Sequence, residues 1–129
     1  MHINSNTVCE NRHVHRDYFS SAQTGDIDTV KYLLRKYPGG YWIIQNENGI
    51  SSMQLAAQHG QTAVLKAFVD EGGVNDLNIP TADSDWEIPL NLAYINNNHE
   101  TVHYIVSHGY SRNVQKLHRI YVKINPDLR

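Results

Sequence analysis

The chain has 129 residues, 40% hydrophobic and 19% charged, enough to close one core and too apolar for a disordered segment. Its formal net charge of -2 argues against a generic nucleic-acid binder, and no apolar run approaches the roughly 20 residues of a membrane-spanning helix. The single cysteine, Cys9, excludes an intrachain disulfide framework, and the polar residues 1–16 lack the apolar stretch of a secretory leader, so a cytoplasmic domain is expected.

In chain order, residues 1–12 are expected to be frayed. Three segments then align, residues 18–34, 53–69 and 90–106, with starts 35 and 37 residues apart. Each reads as two helices joined by a tight turn. Small residues centre the first helix: Ser21 and Ala22, Ala56 and Ala57, then Ala93 beside Tyr94. The turns fall at Gly25, Gly60 and Asn97, residue types that tolerate positive φ. The second helices carry one apolar stripe each: Val30, Leu33 and Leu34; Leu65, Phe68 and Val69; Val102, Ile105 and Val106. Between units, loops 38–52 and 72–86 hold Gly39, Gly40, Gly49, Gly72, Gly73 and Pro80, with β-compatible patches at 41–44 and 77–79. The last segment breaks the pattern. Val114, Leu117, Ile120, Tyr121 and Ile124 sit at helical spacing among Arg112, Lys116, Arg119 and Lys123, which predicts an amphipathic capping helix over 111–125.

These residues resemble the ankyrin-repeat family. The second unit matches the family pattern at Asn46, Gly49, Met53, Ala56, Ala57, Gly60, Leu65, Phe68, Val69 and Gly72. The third matches at Pro89, Leu90, Ala93, Glu100, Val102, Ile105, Val106 and Gly109, and the first at Gly25, Asp26, Val30, Leu33 and Leu34. The resemblance covers residues 17–110. It implies an all-α fold: an ankyrin-repeat solenoid of helix–turn–helix units with protruding hairpin-like loops and a C-terminal capping helix. One domain spans 1–129, with repeats near 11–40, 46–73 and 83–110. There are departures. The usual Thr-Pro start is Ser51-Ser52 in the second unit and Ile88-Pro89 in the third; Trp86 and Asn97 replace glycines, and Tyr94 replaces a small alanine. The second loop exceeds the spacing of about 33 residues by about four.

Charge is unevenly spread. Residues 67–111 carry Asp70, Glu71, Asp76, Asp83, Asp85, Glu87 and Glu100 and no Lys or Arg, whereas 112–129 are basic. The plain reading is a solvated face; the functional one is an acidic surface that steers a basic partner. The resemblance implies binding by loop tips and the inner, first-helix face. Mapped onto this chain, those positions are Gln23 and Thr24, then Glu47, Asn48, Ile50, Gln58 and His59, then Ser84, Asp85, Glu87, Ile95 and Asn96. The long acidic loop adds Asp76, Ile79, Thr81, Asp83 and Trp86. Trp86 reads either as an interface anchor or as a side chain packed between units.

Two constellations suggest other chemistry. His99-Glu100-Thr101-Val102-His103 matches the HExxH pattern, in which two histidines share a helix face to hold zinc and the Glu activates water. Glu100 and Val102 are, however, already accounted for by the repeat. Cys9, His13 and His15 give Cys-x3-His-x-His, one ligand short of a structural zinc site unless His2 joins. The expected function is therefore a non-enzymatic protein-interaction module, an adaptor or an inhibitor, as a monomer or within a hetero-complex. Its partner is another protein with a basic patch, not nucleic acid or membrane. No catalytic residue, cofactor or metal is expected. The alternatives are a zinc metallopeptidase through His99, Glu100 and His103, and a structural subunit of a larger assembly.

Overall fold

A computed structural model describes residues 3–78, 81–82, 88–108, 119 and 123, with side chains from residue 13 onward except at 78. Among the described residues, six α-helices with assigned bounds follow one another: α1 (Ile3–Thr24), α2 (Ile27–Lys36), α3 (Ser52–Gln58), α4 (Thr62–Asp70), α5 (Pro89–Ile95) and α6 (His99–His108). They fall into two layers. The inner helices α1, α3 and α5 pack side by side, and the outer helices α2, α4 and α6 pack behind them, each against its own inner partner.

Local chemistry sets the helix ends. Asp26 caps α2 by accepting from the Thr29 backbone N–H at 3.3 Å and from the Thr29 hydroxyl at 2.6 Å. These two bonds hold the Asp26 carboxyl below its usual pKa. Ser51 and Gln54 form a reciprocal capping box at the start of α3, so the Ser51-Ser52 departure keeps a working helix start. Pro89 occupies the first turn of α5, where its missing N–H costs nothing. Gly25, Gly60 and Asn97 turn the chain between paired helices with φ of 79°, 71° and 60°.

The stripes form the core. Val30, Leu33, Leu34, Leu65, Phe68, Val102 and Ile105 are buried, and Val69 and Val106 pack half-buried against them. Ala22, Ala56, Ala57 and Ala93 have no exposed surface, which lets the inner helices approach closely. Polar ties join the units. The Gln61 amide donates to the Gln23 carbonyl at 3.1 Å. The Asn98 amide donates to the Ala57 and Gln58 carbonyls at 3.1 and 2.9 Å. Each tie reaches carbonyls at the C-terminal end of an inner helix. Thr62 and Thr101 share a hydroxyl–hydroxyl bond of 2.8 Å between α4 and α6.

Three expectations need correction or placement. Residues 1–12 are not frayed throughout, since α1 starts at Ile3. The β-compatible patches are not strands: Tyr41–Ile43 and Gly73–Asn78 form 3₁₀ turns. Gly40 enters the first turn at φ 78°, and short i to i+3 bonds bring Trp42 into the core; Leu77, in the second turn, is buried as well. Among the described residues the β-pairing is a single bridge, Gln45 with Ser51. The capping helix over 111–125 lies outside the described residues apart from 119 and 123, both helical.

Candidate functional site

The first inter-unit loop is a compact finger. Its base is the Gln45–Ser51 bridge, closed by the Asn46 N–H to Ile50 carbonyl bond at 2.8 Å. The Asn46 side-chain oxygen accepts from the Asn48 and Ile50 backbone N–H groups at 2.9 and 3.0 Å, and Gly49 turns at φ 77°. Ile50 is half-buried at the root, while Glu47 and Asn48 stand exposed at the tip. The Asn46 bonds brace the finger, and Glu47 stands exposed at its tip.

A second row runs along the ends of the inner helices. Gln23 and Thr24 end α1, Gln58 and His59 end α3, and Ile95 and Asn96 end α5, at equivalent places in the three units. Gln58 is half-buried and the others are exposed, Ile95 to 58%. The amide ties from Gln61 and Asn98 hold these helix ends in register. The Asn96 amide turns back to the Leu92 carbonyl at 2.8 Å.

The second loop is only partly described, and two of its expected contacts point inward. Asp76 accepts from the Trp42 indole N–H at 2.7 Å, pinning the loop to the Trp42–Phe68 aromatic pair. That bond commits its Oδ2 to the fold. Thr81 is 2% exposed and offers no surface to a partner. The next residue, Ala82, donates its backbone N–H to the Gly49 carbonyl at 2.8 Å, so the second loop touches the tip of the first finger. Ile79, Asp83, Ser84, Asp85, Trp86 and Glu87 lie outside the described residues.

Facing the finger is a cleft that the motif analysis did not foresee. It measures about 570 Å³ and is lined by His15, Arg16 and Phe19 of α1 and by residues 45–48 of the finger. A signal was available: Val14, Tyr18, Ser21 and Ala22 are buried at spacings of three and four, which carries the helix back past residue 17 and turns His15, Arg16 and Phe19 to the other side.

The HExxH residues sit on α6, whose buried side is Thr101, Val102 and Ile105; His99, Glu100 and His103 are exposed. Among the described residues no three His, Cys, Asp or Glu side chains come together in a group suited to a metal ion. The side chain of Cys9, from the other constellation, is outside the described set, and His13 accepts from Arg16 at 2.7 Å through Nδ1. No helix among the described residues is long and apolar enough to cross a membrane. The family model described as ankyrin repeats, in three copies, matches residues 19–116. Comparison with curated proteins finds no match.

Proposed function

The chain belongs to the ankyrin-repeat family, and on that premise we propose that it binds a basic surface of another protein with its first finger, its inner-helix ends and its acidic second loop. Ankyrin repeats are generally protein-protein interaction modules and typically non-enzymatic. The observation that carries the reading is the Ala82–Gly49 bond. It ties the second loop to the finger. Asp83, Asp85 and Glu87 follow Ala82 in the sequence, and with Glu47 they favour a cationic partner. Ile95 adds exposed apolar surface on the inner face. Such a surface serves an adaptor or an inhibitor that masks its partner; we read the chain as non-catalytic, because His99, Glu100 and His103 stand on an exposed helix side with no third ligand beside them among the described residues.

The test is capture from native lysate, comparing the wild-type chain with a folded variant carrying Glu47→Lys, Asp83→Lys, Asp85→Lys and Glu87→Lys. The expected result is a stoichiometric partner whose binding weakens with salt and is lost with the variant. Equal capture by both proteins, with equal salt dependence, would remove the acidic surface from consideration.

A further inference from the structure

We infer that the cleft between α1 and the first finger is a polarised subsite for a partner segment that sets a carboxylate against Arg16, an apolar side chain against Phe19 and a cation against Glu47. The inference rests on the reading of the chain as a protein-binding module and adds the chemistry of one subsite.

The wall formed by α1 is particular to the first unit. By the repeat alignment, the positions equivalent to His15 and Arg16 are Ile50 and Ser51 in the second unit and Glu87 and Ile88 in the third. Ser51 and Ile88 cap helices that begin one residue later. Among the described inner helices only α1, at 22 residues, continues backward opposite a finger; α3 and α5 have seven residues each. The extension creates a facing wall, and the space between wall and finger is the 570 Å³ cleft.

The two walls differ in sign. On α1, Arg16 is 68% exposed. Its Nη2 bonds His13 Nδ1 at 2.7 Å, and its Nε lies 3.7 Å from Asp17, which is itself 47% exposed. A guanidinium carries five N–H donors, so most of the fork stays open to a carboxylate. On the finger, Asn46 has spent its side-chain oxygen on the Asn48 and Ile50 backbone, which leaves its NH₂ as a donor. The Glu47 carboxylate stands at the tip. Arg16 and Glu47 do not pair across the gap: the carboxylate in contact with Arg16 is Asp17. Half-buried Phe19 supplies the apolar floor and His15 a further ring donor or acceptor. A partner of one charge would meet repulsion on one wall, whereas a segment with an acid and a base on either side of an apolar residue complements both.

The probe is a displayed library of nine-residue peptides selected on the full chain. Affinities of the selected peptides are then measured for wild type, Arg16→Glu, Arg16→Lys and Glu47→Lys, each checked for folding by circular dichroism. The expected peptides carry Asp or Glu next to an aromatic or aliphatic residue. Arg16→Glu should weaken them by roughly tenfold, and replacing the peptide's acid by Lys should restore binding to that variant. Arg16→Lys keeps the charge but loses the fork, and should fall between the two. Selected peptides without an acid, or indifferent to Arg16→Glu, overturn the subsite. If such peptides are still lost with Glu47→Lys, they bind the finger without the α1 wall, and the module reading stands. A library that yields no binder also overturns the subsite, while partner capture by the acidic surface decides the module reading separately.

Discussion

The first and second units share a frame and differ in how their inner helices begin. Both end the inner helix with a glycine at positive φ, and both have that end covered by an amide from the following unit, Gln61 in one case and Asn98 in the other. Yet α1 has 22 residues where α3 has seven. In the second unit the capping box at Ser51 stops the helix, and the chain before it is finger. In the first unit the pattern of buried Val14, Tyr18 and Ala22 continues the helix backward. The periodic residues therefore build the stack, and the aperiodic extension builds the concavity. Binding chemistry in a repeat protein can reside in the departures, because the repeated positions are already committed to neighbouring units.

The largest way to break the frame is at Trp42, which bridges the two loops. It is 7% exposed, packs on Phe68 with ring centres 5.8 Å apart, and donates to Asp76. Trp42→Ala should cost about 3–5 kcal/mol in urea unfolding, through cavity formation and an abandoned carboxylate. Trp42→Phe keeps most of the packing and should cost about 1–3 kcal/mol, the penalty of leaving Asp76 without its donor. Equal stability of Trp42→Phe and wild type would show that the Asp76 bond contributes nothing, and would return Asp76 to the surface available for partners.

The turn positions sharpen the comparison at smaller scale. A Cβ at Gly60 would lie 2.8 Å from the Asn98 side-chain oxygen, and Asn98 is pinned by its bonds to Ala57 and Gln58. At Gly25 the clash is with the Gln61 amide, which a single exposed bond holds. Gly60→Ala should therefore cost more than Gly25→Ala, with backbone strain alone contributing about 1–2 kcal/mol to each. Asn97→Gly should change stability by less than about 0.5 kcal/mol, since asparagine already reaches φ 60°. Denaturation midpoints of the three variants check the order. A Gly25→Ala protein less stable than Gly60→Ala would mean that the two inter-unit ties are ranked wrongly.

The stack was legible in the sequence because its signals are local and repeated. Stripes such as Val30, Leu33 and Leu34 need only helical spacing to be read, and Gly25, Gly60 and Asn97 announce their own φ. The loops were less legible. Tyr41, Trp42 and Ile43 have β-compatible side chains, but a strand needs a partner, and here the neighbour is the Phe68 core rather than another strand. Asp76 reads as surface charge in the sequence because its donor lies 34 residues away, a distance no local pattern spans. At the candidate site, exposure of Glu47, Asn48, His59 and Ile95 followed from the repeat register. His15 and Arg16 precede the first aligned unit, and Phe19 falls at a position whose equivalents, Gln54 and Asn91, carry no apolar signal, so none of the three stands out in the sequence.

The last effect is one that neutral pH conceals, and it separates the first unit from the other two at a single aligned position. Tyr18, Met53 and Leu90 occupy the same place in successive units, and each is essentially without exposed surface. Only Tyr18 can titrate there. Burial pushes its hydroxyl up to about 12, with Tyr41 and Glu71 adding to the effect, and the hydroxyl donates to the Tyr37 carbonyl at 3.0 Å. In the unfolded chain a tyrosine loses its proton near pH 10. Between these values the folded state holds more protons than the unfolded state, so stability falls as pH rises. Its contribution is whole below about pH 10 and is lost as pH climbs through about 12. Half-buried Tyr104, raised by its own burial and by Asp70, acts with the same sign and stays in both proteins of the comparison. Denaturation midpoints from pH 9 to 12 should therefore decline less steeply in Tyr18→Phe than in wild type. Parallel declines would assign the alkaline sensitivity to other tyrosines, and the first unit would then be no more sensitive to alkali at this position than the second and third.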